Sequence, residues 1–109
     1  MAQQMRVTAQ LQQVVLLLLR DPTRRYYGLE IAREAKLQRG TLYPLLARLE
    51  DAGWVVGEWE DIDPAVEGRR PRRYYTLTGE GLRQAARIGE DMEKALVGVP
   101  RQNLGLAGP

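Results

Sequence analysis

The chain contains no cysteine and no histidine in its 109 residues. That removes disulfides, thiolate and imidazole metal ligands, cysteine nucleophiles and histidine acid–base chemistry in one step. A secreted domain of this size would usually carry disulfides. No secretory signal is visible, and the most apolar run, Val14 to Leu19, falls far short of the ~20 residues a membrane span needs. The expected location is the cytoplasm, away from any membrane. There is also no glycine motif that would cradle a phosphate, and no carboxylate pair outside loops and helix surfaces. An enzyme finds no support here, and neither a metal nor a cofactor is expected.

What is present fits one small globular domain: 44% hydrophobic and 28% charged residues. A monomer this small buries only ~60–65% of the surface its unfolded chain exposes, so a partner subunit would add useful burial. With 16 basic against 14 acidic side chains, overall charge is a weak pointer to nucleic acid. Its distribution says more. Arg33, Lys36, Arg39 and Arg48 stand against Glu34 alone, and Arg69, Arg70, Arg72 and Arg73 against Glu67 alone. Between the two stretches lie Glu50, Asp51, Glu58, Glu60, Asp61 and Asp63. Such segregation suits a protein with one basic face, although a basic run by itself is commonly just a solvated surface.

Periodicity predicts a first helix over Thr8 to Arg20, apolar nearly all round through Leu11, Val14, Val15, Leu16, Leu17, Leu18 and Leu19. Part of it is expected to meet a second surface. Asp21-Pro22 stops it, and Thr23 to Tyr27 reads as a basic, aromatic linker. A short second helix follows over Gly28 to Ala35, then a tight connection, then a third helix from about Arg39 to Asp51. The third helix carries Leu42, Leu45, Leu46 and Leu49 on one stripe, with Gly53 placed for a left-handed cap. Trp54 to Glu60 and Arg72 to Leu77 read as strands of a hairpin, joined by a charged loop holding two prolines and a glycine. Thr78 can cap a last helix reaching about Val97, on which Leu82, Ala85, Gly89, Met92, Leu96 and Val99 form a heptad-like seam. Gly98 to Pro109 is Gly/Pro-rich, the composition of a disordered tail.

The predicted class is mainly α with a small β-hairpin, in the order α-α-α-β-β-α. Three helices and a hairpin define a winged helix-turn-helix over residues 8–77, followed by a C-terminal dimerisation helix over 78–97 and a tail over 98–109. Such a unit places its third helix in the major groove. With the leucine stripe turned inward, that helix shows Arg39, Gly40, Thr41, Tyr43, Pro44, Ala47 and Arg48 outward. Arg39 suits a guanine edge or a phosphate, and the hydroxyls of Thr41 and Tyr43 suit phosphate oxygens. Packing is the competing role for Tyr43 and Pro44. In the hairpin loop, Arg69, Arg70 and Arg72 can straddle a backbone or enter a narrow minor groove. Strand alternation sends Arg72 and Tyr74 one way and Arg73 and Tyr75 the other.

The chain resembles the PadR family of bacterial transcriptional regulators. The resemblance rests on Tyr27-Gly-Leu-Glu-Ile31, Gly40-Thr-Leu-Tyr-Pro44, Leu45-Leu-Ala-Arg-Leu-Glu50, Gly53-Trp54 and the run from Gly68 to Gly81. It implies a homodimer on a palindromic double-stranded DNA operator, usually a repressor, and in some members release by a small-molecule effector. Tyr27 is also among the expected DNA-binding residues. It also implies that the final helix packs on the other subunit, often on its first helix, so Leu11, Val15, Leu18, Leu82, Ala85, Gly89, Met92 and Leu96 are the expected dimer residues. One final helix is the short form of the family. Two departures stand out. Gln38-Arg39 replaces the Ser-Pro found before the Gly-Thr-Leu-Tyr-Pro run in many relatives. The last helix has no aromatic residue on which a flat ligand would stack. Trp54 and Trp59 read as a core residue and a hairpin-surface residue rather than a ligand cage. The alternative function is a winged helix used only for protein–protein contact, for which arginine on both the third helix and the wing has no evident purpose.

Overall fold

The computed structural model describes residues 6–97. Helix α1 spans Ala9–Leu19, and the Thr8 hydroxyl caps it by accepting the Leu11 N–H at 3.2 Å. Its unusual greasiness is absorbed within the chain. Leu11, Val14, Val15, Leu17 and Leu18 are all buried, and α1 packs on both α2 (Gly28–Ala35) and α5 (Gly79–Val97). The second surface expected to meet part of α1 is largely supplied by α2 and α5 of the same chain. Only Leu16 and Leu19 of its aliphatic residues stay half-buried.

Helix α3 (Arg39–Asp51) follows α2 after three residues. The turn is tight because Lys36 takes a left-handed conformation, φ 56°, letting the Leu37 N–H donate to the Ala32 carbonyl at 2.9 Å. At the far end of α3, Gly53 does the same with φ 77°, and the N–H groups of Gly53 and Trp54 close onto the carbonyls of Glu50 and Leu49. The stripe Leu42, Leu45, Leu46 and Leu49 is buried as its spacing requires. Each such leucine contributes about 1.5–3 kcal/mol of burial.

The sheet has three strands, not two: β1 (Tyr26–Tyr27), β2 (Val55–Trp59) and β3 (Arg73–Leu77), in the order β1-β3-β2 and antiparallel throughout. The supposed linker thus supplies an edge strand, pairing Tyr26 with Tyr75 and Tyr27 with Tyr74. Period-two alternation buries Tyr26 and Tyr75 in the core and leaves Tyr27 and Tyr74 on the outer face. The hairpin loop is also more ordered than its composition suggests. A single helical turn, α4 (Pro64–Glu67), forms at its tip, begun by Asp63 accepting the Ala65 N–H and ended by Gly68 at φ 68°. The fold is the expected winged arrangement with these two additions.

Thr78 joins the layers. Its hydroxyl donates to the Gly53 carbonyl at 2.6 Å and accepts the Gly81 N–H at 3.0 Å, which caps α5. Gly81, Ala85 and Ile88 then bury the first half of α5 against the core, so residues 78–97 do not begin as a separate unit. From Glu90 to Val97 every residue of α5 is exposed. The disordered tail expected over 98–109, with Val99 of the seam, lies outside the described residues.

Candidate nucleic-acid interface

The first turns of α2 and α3 meet the base of the wing in a groove of about 580 Å³. Its lining includes Tyr27, Leu29, Arg39, Tyr43, Arg70, Pro71 and Arg72. Arg39 enters as the first residue of α3, and the β3 approach brings in Arg70 and Arg72. The sequence stretches that looked separately basic therefore converge on one concavity. Gly40, Pro44 and Arg48 are exposed and Thr41 is half-buried, all on α3 but outside the groove lining. Pro44 sits inside the helix, so the Gly40 carbonyl lacks its usual donor four residues on. Tyr43 takes the packing role and stays partly exposed. Its ring covers Gly28, where a side-chain methyl would lie 2.7 Å from the tyrosine oxygen, yet 43% of the residue is exposed.

The four wing arginines do not act alike. Arg69 makes a two-pronged pair with Glu60, Nη1 to Oε1 at 2.7 Å and Nη2 to Oε2 at 3.1 Å, and the Arg72 N–H also donates to Glu60. The Arg69 guanidinium, with the Arg72 backbone, holds the Glu60 carboxyl at a pKa of about 2, below its ordinary 4.5. Arg69, expected to touch DNA, is thus a brace across the wing base and is not among the residues lining the groove. Arg73 reaches across the sheet to Glu50 of α3 at 2.9 Å and lies over the Trp59 ring. It can do so because Gly57 has no side chain; a methyl there would meet the guanidinium at 2.6 Å. Arg72 stacks on Tyr27, its Cζ 4.8 Å from the ring centroid. Among the described residues, neither Arg70 nor Arg72 forms an ion pair. Two of the four cations are therefore committed to acids that sequence order had set apart from them. Charge that is segregated along the chain is partly re-mixed in space.

Sequence reading missed Arg25 and Tyr74. On the outer sheet face Arg25 lies over Tyr74 at 4.4 Å, and Tyr74 meets Tyr27 edge-on at 6.0 Å. The signal was faint, since a two-residue strand has no periodicity to detect. Trp54 is in the core and Trp59 is 65% exposed, the two placements expected of them.

The expected dimer residues divide. Leu11, Val15, Leu18 and Ala85 are 0–1% exposed inside this chain's own core, so they have no surface left to offer a partner. Gly89 is half-buried, with Leu16 the nearest neighbour to a side chain placed there. Leu82, Met92 and Leu96 are exposed along α5.

Among the described residues no cluster of acids could hold a metal ion, and no helix is long and apolar enough to cross a membrane. The architecture is that of winged-helix transcriptional regulators. The crystal structure of smu.1704 from Streptococcus mutans UA159 superposes with a TM-score of 0.69 at 22% identity, covering 96% of this chain and 99% of that one. The transcriptional regulator PA4135 gives 0.65 at 28% identity, over 81% of this chain and 59% of its own. Reduced AbfR bound to DNA gives 0.65 at 28% identity, over 81% and 58%. The chain thus spans less than two thirds of the latter two proteins. No curated protein matches it. The chain belongs to the transcriptional regulator PadR-like family, whose model matches residues 15–87. As a member of that family it is a transcriptional regulator and not an enzyme.

Proposed function

We propose that the chain acts as a homodimeric repressor on a palindromic operator, with α3 in the major groove and the wing base on the flanking backbone. The observation that carries this reading is the groove in which Arg39, Tyr43, Arg70 and Arg72 converge from α3 and the wing. Arg39 at the start of α3 faces a guanine edge or a phosphate, Thr41 and Tyr43 offer hydroxyls to phosphate oxygens, and Gly40 allows close approach. Tyr27, Pro44 and Arg48 complete the contacting surface. Dimerisation runs along the exposed Leu82, Met92 and Leu96 of α5. Two subunits then present their reading helices about one turn of duplex, ~34 Å, apart. A small-molecule effector releases DNA only if it binds one dimer geometry better than the other.

Retardation of the protein's own upstream DNA across a salt series tests the reading. Neutralising about six phosphates gives a log–log slope near −5. Arg70→Ala and Arg72→Ala should each weaken binding and flatten that slope. Unchanged affinity in both would remove the wing from the interface, and a wild-type protein that retards no duplex would end the proposal.

A further inference from the structure

The outer face of the sheet carries a ladder of two adjoining rings with a guanidinium over each. Arg25 lies over Tyr74, Tyr74 meets Tyr27, and Arg72 lies over Tyr27, at 4.4, 6.0 and 4.8 Å in turn. The edge strand β1 makes this possible. Its register sets Tyr27 beside Tyr74, and alternation puts Arg25 on the same side as Tyr27. One end of the ladder, Tyr27 and Arg72, already lines the groove between α3 and the wing. The other end runs away from it.

We propose that Arg25, held on the Tyr74 ring, is a second phosphate-contact site that continues the groove along the backbone of the same DNA duplex. The inference rests on the DNA-binding reading given above. Three observations favour it. First, Arg25 is exposed and makes no ion pair among the described residues, whereas its neighbour Arg24 is taken by Glu30. Second, the Arg25 guanidinium lies over the Tyr74 ring, and a guanidinium held on a ring face keeps N–H groups at its edge free to donate to a phosphate in two-pronged fashion. Stacking also removes side-chain freedom before the ligand arrives, so less ordering remains to be done on binding. Third, the ladder is continuous with the groove through Tyr27 and Arg72, so a strand leaving that groove meets Arg25 without a break. Glu58 stands across the sheet from Tyr74. It is exposed and forms no ion pair with Arg25, which leaves the arginine available. Tyr74 is a positioning residue here, and its ring rather than its hydroxyl does the work.

The test compares the full-length wild type with Arg25→Ala, Tyr74→Leu and Tyr74→Phe on operator and random-sequence duplexes over a salt series, with thermal melts as a check on folding. Loss of one phosphate contact flattens the log–log slope by about 0.9, which is roughly eightfold in affinity near 0.1 M salt for each half-site. Arg25→Ala should show that loss equally on both duplexes, because a phosphate contact carries no sequence information. Tyr74→Leu should show part of it, and Tyr74→Phe none. Wild-type affinity and slope in Arg25→Ala, in a protein whose Arg72→Ala variant is weakened, overturns the second site while leaving the main interface standing. Wild-type behaviour of Tyr74→Leu overturns the platform. A wild type that binds no duplex at low salt brings down the parent reading and the ladder with it.

Discussion

A methyl group at Gly81 would collide with the carbonyl oxygen of Trp54, a backbone atom that cannot swing aside. That carbonyl already accepts the Thr78 N–H, and the Gly81 N–H donates to the Thr78 hydroxyl, so the collision falls where α5 is tied to the end of α3. Gly81→Ala should therefore cost about 3 kcal/mol, the upper end of overpacking penalties, read as a lower denaturant midpoint. Gly57 makes a useful contrast. There the obstructing atoms belong to the Arg73 guanidinium, which can move, and the pair it would lose to Glu50 is part-exposed and worth only about 0.2–1 kcal/mol. Both glycines stood in the sequence without any sign of their different severity. That difference depends on which atom of a distant residue lies opposite.

At the scale of the element, the wing base hangs on Glu60. Its carboxylate accepts from Arg69 and from the Arg72 backbone, and its pKa falls to about 2 in the folded chain against an ordinary 4.5. A depressed acid stabilises the fold above its unfolded pKa and loses that contribution as pH falls through the folded value. The bracing should thus be intact above about pH 4.5 and fade between there and about pH 2. The fluorescence of Trp59, exposed on β2 beside the same loop, is the reporter; Glu60→Gln should remove the acid transition from its titration. Helices α2, α3 and α5 were legible because each carries a leucine or small-residue stripe of several turns, and their ends were marked by Gly53 and Thr78. The edge strand β1 and the turn α4 were not legible. Two residues cannot show alternation, and Asp63-Pro64 reads equally well as loop or as helix start.

For the whole molecule, the winged arrangement was readable from the order of elements, and the groove from two basic stretches that the helix-turn-helix geometry brings together. The exposed face of α5 was only half readable. A seam on α5 looks the same whether it faces its own α1 or another chain, and Ala85 turned inward while Leu82, Met92 and Leu96 did not. Replacing Leu82 and Met92 by glutamate should leave the circular dichroism spectrum in place but shift sedimentation to the monomer. A dimer that survives both substitutions would locate the contact elsewhere. The pairing of Arg69 with Glu60 and of Arg73 with Glu50 also bears on how such a protein finds its target. Attraction to arbitrary sequence grows with the number of unengaged cations, each of which releases counterions wherever it lands. With two of its wing arginines neutralised internally, a chain that binds DNA as proposed is expected to reside more briefly on irrelevant sequence and to spend a larger share of each search moving between sites.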